Sequence, residues 1–293
     1  LREPPSPLTL ALRTLLRGTP RPLPTFAATF SPRARLLTDE GRIASPIPYD
    51  TIYGAIVASY GFHATLVADS DTEVWRKHGD KRFAMVAGEL LSGVPHAYRT
   101  KVKLKKGTAL AGRDELGDAV GDNRNAWAEE TKEEAIDREE HGYVLVTLVS
   151  RLERTFCISP ASKPLDGVMR LVHFGPEGSE TVQKLMAAAY NGGKHVAMVD
   201  EEQGRKLVGY EAVDEVTVEV LEGDDPNDTV EGQWRRMCVD GLIVRVEEGG
   251  WMRVRKVPDG DEGLEVVVPG LEFDVPSSGP TNFWASAGRP LEF

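Results

Sequence analysis

Only two cysteines, Cys157 and Cys238, occur in the 293 residues, and the six histidines are dispersed along the chain. A disulfide framework and a tetrahedral zinc cluster both need more of these residues, and closer together, so neither is expected. Each cysteine lies inside an apolar, β-like run and reads as a buried structural thiol, which suits an intracellular, cytoplasmic protein. No apolar stretch approaches the roughly 20 residues that cross a bilayer as a helix. Positive charge is scarce as well: 35 Lys and Arg face 46 Asp and Glu, a net charge of −11. That balance argues against broad duplex nucleic-acid binding, which draws its affinity from a basic face. It also disfavours attraction to anionic lipid, so membrane contact is expected to be peripheral, through an exposed apolar lip. The first residues, Leu1-Arg2-Glu3-Pro4-Pro5, carry neither an initiator Met nor a signal-peptide pattern.

What is present suffices for a sizeable core. Hydrophobic residues make up 41% and charged residues 28%, which excludes wholesale disorder and allows one large or two modest domains. Leucines spaced along Pro7–Arg17 predict a helix, opened by Ser6 and Pro7 and closed by Gly18. Residues 19–24 carry three prolines and read as an extended connector. Strands are predicted at 26–30, 51–61, 98–104, 143–149, 169–174, 213–221, 236–239, 242–246, 252–256 and 264–268. Helices are predicted at 83–91 and 180–190 from their 3.6-residue periodicity. The fold class that follows is mainly β with a few helices, an antiparallel β-sandwich. Its expected division is a connecting helix and linker at 1–25, the sandwich at 26–275 and a tail at 276–293. Within it, residues 113–140 hold eleven acidic residues against four basic ones and read as a mobile, solvated surface insertion.

Three segments could carry chemistry. Tyr60-Gly61-Phe62 ends a strand, and Arg76 and Arg82 flank a glycine turn before a helix, where two guanidiniums and helix N–H groups could meet a phosphate. Alone, such arginines are more often surface salt-bridge partners. Asp240-Gly241 between two apolar strands is a hairpin signal. Ser159-Pro160 with Asp166-Gly167 is a second strand–turn–strand.

Taken in order with Gly193-Lys194-His195, these motifs resemble the C-terminal half of the diacylglycerol kinase and sphingosine kinase superfamily, lipid kinases with an NAD-kinase-like fold, and most closely its fungal-type members. The resemblance runs from about Leu8 to Lys256. It implies an ATP- and Mg²⁺-dependent transferase acting on a sphingoid base or diacylglycerol. It implies that Arg76, Arg82, Asp240 and Gly241 meet the nucleotide, although Leu242 stands where the family carries Glu. It further implies that Asp69 or Asp71 holds the lipid head group, and that Phe83, Val86, Ala87, Leu90 and Leu91 line the lipid pocket, residues equally suited to a core. The family's Gly-Gly-Asp-Gly-Thr phosphate loop, with its presumed general base, and its Gly-Thr-Gly-Asn segment do not occur. The expectation is therefore a chain truncated of its nucleotide-binding domain, with no catalytic residue of its own and no activity alone. A non-catalytic lipid-binding or scaffold domain is the competing expectation.

Overall fold

The computed structural model describes residues 6–106, 133–223, 232–258 and 263–269. Most of the acidic insertion and the tail at 276–293 lie outside the described residues. The chain divides into two compact units, Leu1–Pro22 with Leu264–Phe293, and Leu23–Gly263.

In the first unit, α1 (Pro7–Arg17) starts where Ser6 Oγ accepts the Thr9 N–H at 3.2 Å. It stops at Gly18, where any Cβ would lie 2.3 Å from the Thr14 carbonyl oxygen. β1 (Thr19–Pro22) follows. The connector is extended as expected, but it is also laddered: Thr19 pairs with Val268 and Pro22 with Glu265. A two-stranded ribbon tolerates Pro20 and Pro22 because it leaves edge positions that need no N–H. α1 buries none of its residues, and Leu16 is 80% exposed.

The second unit contains, in chain order, β2 (Phe26–Phe30), β3 (Arg35–Thr38), β4 (Ile43–Pro46), β5 (Ile52–Gly54), β6 (Val57–Gly61), α2 (Phe62–Ser70), α3 (Glu73–Arg76), α4 (Lys81–Leu90) and β7 (Tyr98–Lys105). Then come β8 (Glu133–Ala135), β9 (Glu140–His141), β10 (Tyr143–Thr147), β11 (Arg170–Phe174), α5 (Ser179–Tyr190), β12 (Val208–Ala212) and β13 (Glu215–Val220). β14 (Arg236–Val239), β15 (Leu242–Arg245) and β16 (Trp251–Lys256) complete it, and the first unit's second strand is β17 (Glu265–Val268). One sheet runs β12-β11-β10-β6-β14-β15-β3-β4 and the other β5-β2-β16-β13-β7-β8, with β9 also on β7. All pairings are antiparallel. The protein is thus mainly antiparallel β, as the sequence predicts, with five α-helices among the described residues.

Side-chain alternation explains the layers. β7 buries Tyr98, Thr100, Val102 and Leu104 and exposes Arg99, Lys101 and Lys103. β6 and β10 are buried throughout because their sheet is covered on both faces. Tyr60, Val144 and Val146 join the core between the sheets, together with Val102 and Val218 of the facing sheet. Tyr143, Leu145 and Phe174 point the other way, into a second core with Phe62 of α2 and Leu185 of α5. Each large side chain fully removed from water contributes about 1.5–3 kcal/mol.

Three expectations change. The run at 51–61 is not one strand: it breaks at Ala55 and Ile56, so β5 and β6 belong to different sheets. No helix is predicted directly after Gly61, yet the chain turns there at once into α2, at a glycine with φ of +85°. Residues 133–140 of the acidic block are ordered against β7, where lysines of the strand and the adjoining Lys106 neutralise them: Lys103–Glu133 at 3.3 Å, Lys106–Glu134 at 3.0 Å and Lys101–Glu139 at 3.6 Å.

Candidate functional site

Asp240 and Gly241 form the tight β14–β15 turn with φ of +47° and +91°. The Asp240 carboxylate leaves that turn and reaches the break between β5 and β6. Its oxygens accept the backbone N–H groups of Ala55 at 2.7 Å, Ile56 at 3.1 Å and Val57 at 2.6 Å. Oδ2 takes a second bond from Ile56 at 3.3 Å, so each oxygen holds two donors. An ionised carboxylate offers about four acceptor positions, and backbone fills them here. A metal ion therefore does not fit at Asp240. Leu242, two residues on, is 48% exposed.

The two head-group candidates sit at the end of α2. Asp69 is engaged by Arg236 Nη1 at 2.7 Å, and Arg236 Nε also donates to the Gln233 carbonyl. Asp71 is exposed and accepts from Arg76 Nε at 3.1 Å. Arg76 also donates to the Asp71 carbonyl at 2.9 Å and lies 3.6 Å from Glu40, whose carboxylate takes the Glu73 N–H that opens α3. Arg82 lies with its guanidinium over the Phe83 ring, 4.8 Å from the centroid, and its buried Nε has no partner. Of the nucleotide candidates, Arg82 thus has a donor to spare, whereas Arg76 is tied to carboxylates. Among the described residues no group of three His, Cys, Asp or Glu is arranged to hold a metal ion.

The predicted pocket residues lie on or just after α4. Val86 and Leu91 are buried, and Ala87, Leu90 and Leu91 pack into the second core, so they serve as core first. Leu90 also borders a cavity of about 330 Å³ whose apolar walls include Phe62, Phe174 and Val182. The cavity's other wall was not foreseen. His96 and Trp234 stack there with centroids 4.0 Å apart and planes at 8°. His96 Nε2 lies 3.0 Å from Glu222 Oε1, which also accepts the Arg99 N–H at 2.7 Å. Burial pushes the Glu222 carboxyl up, but these two contacts outweigh it and hold it below the usual carboxylate range. Residues so far apart in sequence offer no local signal.

A second, open depression of about 500 Å³ shares Pro176 and Glu177 with this cavity. Arg99, Arg138 and Arg205 line it, opposite Glu139 and Glu140. Behind it, His141 and His173 are buried between the sheets with ring centroids 6.3 Å apart. Burial, then the nearby Arg138, depresses each to a pKa of about 3, so both are neutral.

No helix among the described residues is long and apolar enough to cross a membrane. Neither a protein-family model nor a curated protein matches the chain. Solved structures of Bacillus anthracis strain Sterne proteins assigned as diacylglycerol kinases are similar to it. One has 9% identity and a TM-score of 0.42 over 86% of this chain and 59% of that one. Another has 10% identity and a TM-score of 0.39 over 86% and 57%. The chain thus spans less than two thirds of the length of these proteins.

Proposed function

We propose that this chain is the substrate-binding β-sandwich part of an ATP- and Mg²⁺-dependent lipid kinase. The whole enzyme would transfer a γ-phosphoryl group to a primary hydroxyl of a sphingoid base or diacylglycerol. The observation that carries the reading is the cavity at the end of α4. Its 330 Å³ falls in the roughly 300–1,000 Å³ range of small-molecule sites, and its walls are largely apolar. The order of the sequence motifs supports it.

In this reading Arg82 supplies the phosphate contact, because its Nε is the donor left without a partner. Both head-group carboxylates face an arginine, Asp69 Arg236 and Asp71 Arg76, and Asp71, the more exposed of the two, is the better placed to receive an amine. Asp240 holds the backbone rather than the nucleotide, and no metal step is assigned to it. Positioning and charge neutralisation do most of the work in phosphoryl transfer, and the phosphate loop and base belong to a separate domain. In this reading the protein acts in the cytoplasm and meets membranes peripherally.

A non-catalytic lipid-binding or scaffold role is the second reading. The filled Asp240 carboxylate and Leu242 favour it.

The test is lipid binding by the chain and by Leu90→Trp, which fills the cavity. A sphingoid base or diacylglycerol that binds the parent and not the variant supports the proposal; equal binding to both removes its basis. With ATP and Mg²⁺ added, residues 1–293 alone should give no phosphorylated lipid. Product clearly above a no-protein control would refute the truncated-chain reading.

A further inference from the structure

Arg138 carries a partly buried positive charge in the second unit. It stands at the rim of the open depression, partly buried, and has no ion pair among the described residues. Its Nη2 meets His173 Nδ1, and its Nη1 lies 3.0 Å from where a Cβ on Gly175 would sit, so a glycine leaves it room. The contact with Nδ1 fixes the His173 proton on Nε2 and holds the guanidinium fork in place. The Arg138 Nε is buried without a partner. A guanidinium kept partly out of water without an ion pair is unfavourable; burial, then Arg205, lowers its affinity for its proton, and Glu177 offsets this only in part.

The neighbouring charges do not supply the missing partner. Glu177 is taken by Arg205 at 2.8 Å and Glu139 lies 3.6 Å from Lys101, and Glu140 has no ion pair among the described residues. Arg99, on the same rim, also has no ion pair among the described residues. The apolar cavity shares Pro176 and Glu177 with this depression.

We infer that Arg99 and Arg138 bind the anionic head, a phosphomonoester, of a lipid whose chain enters the adjacent cavity. Planar guanidinium forks match phosphate oxygens in pairs, and the shared wall sets head and chain side by side. The site is separate from Arg76 and Arg82. The inference rests on the reading of the cavity as a lipid site but not on kinase activity. The occupant is an acidic lipid that shares the cavity with the hydroxyl-bearing substrate, so the two compete for it.

The full chain is titrated with dodecyl phosphate, dodecanol and inorganic phosphate, following calorimetry and tryptophan emission, since Trp234 borders the cavity. Dodecyl phosphate should bind at least tenfold more tightly than either of the others. Arg99→Glu, an exposed change that spares the fold, should cost at least tenfold for dodecyl phosphate and leave dodecanol unaffected. Arg138→Met should do the same. Dodecanol binding as tightly as dodecyl phosphate overturns the anion site while leaving the lipid cavity standing. Inorganic phosphate binding as tightly overturns the lipid assignment, and no binding of either alkyl compound removes the cavity reading and this inference together. Unchanged dodecyl phosphate affinity in Arg99→Glu also overturns it.

Discussion

Asp69 and Arg236, 167 residues apart, form a 2.7 Å ion pair that ties the end of α2 to the start of β14. Arg236 is 12% exposed and Asp69 36%, so the pair is neither a solvated surface contact nor a fully buried one. Asp69→Asn should therefore cost about 1–3 kcal/mol, between the two extremes. Asp71→Asn, at an exposed carboxylate, should cost under about 0.5 kcal/mol. Urea unfolding of both variants checks this; equal losses would show that the pair adds nothing.

Asp240→Ala removes the acceptor of three backbone N–H groups at the β5–β6 break. Each donor left without a partner costs about 1–3 kcal/mol, less where water reaches it, so a total of about 3 kcal/mol or more is expected. Leu242→Glu, on the exposed side of the same hairpin, should be near neutral. A lowered urea midpoint for the first variant alone is the expected result.

Acid should weaken the fold through its buried histidines. His141 and His173 have folded pKa values of about 3, below the ordinary 6.5. The unfolded chain binds these protons more readily, so stability is complete above pH 6.5 and is lost as pH falls toward 3. Each histidine adds a slope of about 1.4 kcal/mol per pH unit inside that window. Urea midpoints at a series of pH values measure it.

Both His141 nitrogens are buried without a partner. His141→Leu removes a poorly satisfied polar group and one titrating site. The variant should be at least as stable as the parent at pH 7 and clearly more stable at pH 5, with a shallower acid slope. A loss of stability at both pH values would reveal a partner for this ring.

The sequence was most legible where one face of an element is buried. β7 alternates because its outer face meets water, and α5 shows its periodicity because Val182, Leu185, Met186 and Ala189 turn inward. α2 gave no such signal: it packs against α4, β6, β10 and β14, so apolar residues occur all round it. The break at Ala55 was hidden because its cause is a carboxylate 185 residues away. The lysines of β7 and the acidic block were each visible, but their pairing is a property of the sheet. The helix bearing Leu90, which borders the cavity, was legible from its periodicity. His96, Glu222 and Trp234 were not, since only the fold brings an imidazole, a carboxylate and an indole to one wall.

The Asp240 clamp also sets a schedule for folding. The N–H groups of Ala55, Ile56 and Val57 must wait for a side chain that follows more than 180 residues later. During synthesis the passage from β5 to β6 therefore stays unanchored until nearly the whole second unit has emerged. Contacts of such long sequence separation slow two-sheet proteins, because loop-closure entropy is met before the contact rewards it. The β14–β15 turn, local and quick to form, carries the anchor with it. Closure of the sandwich is then a late event, in which a hairpin made early reaches back to fasten strands made first.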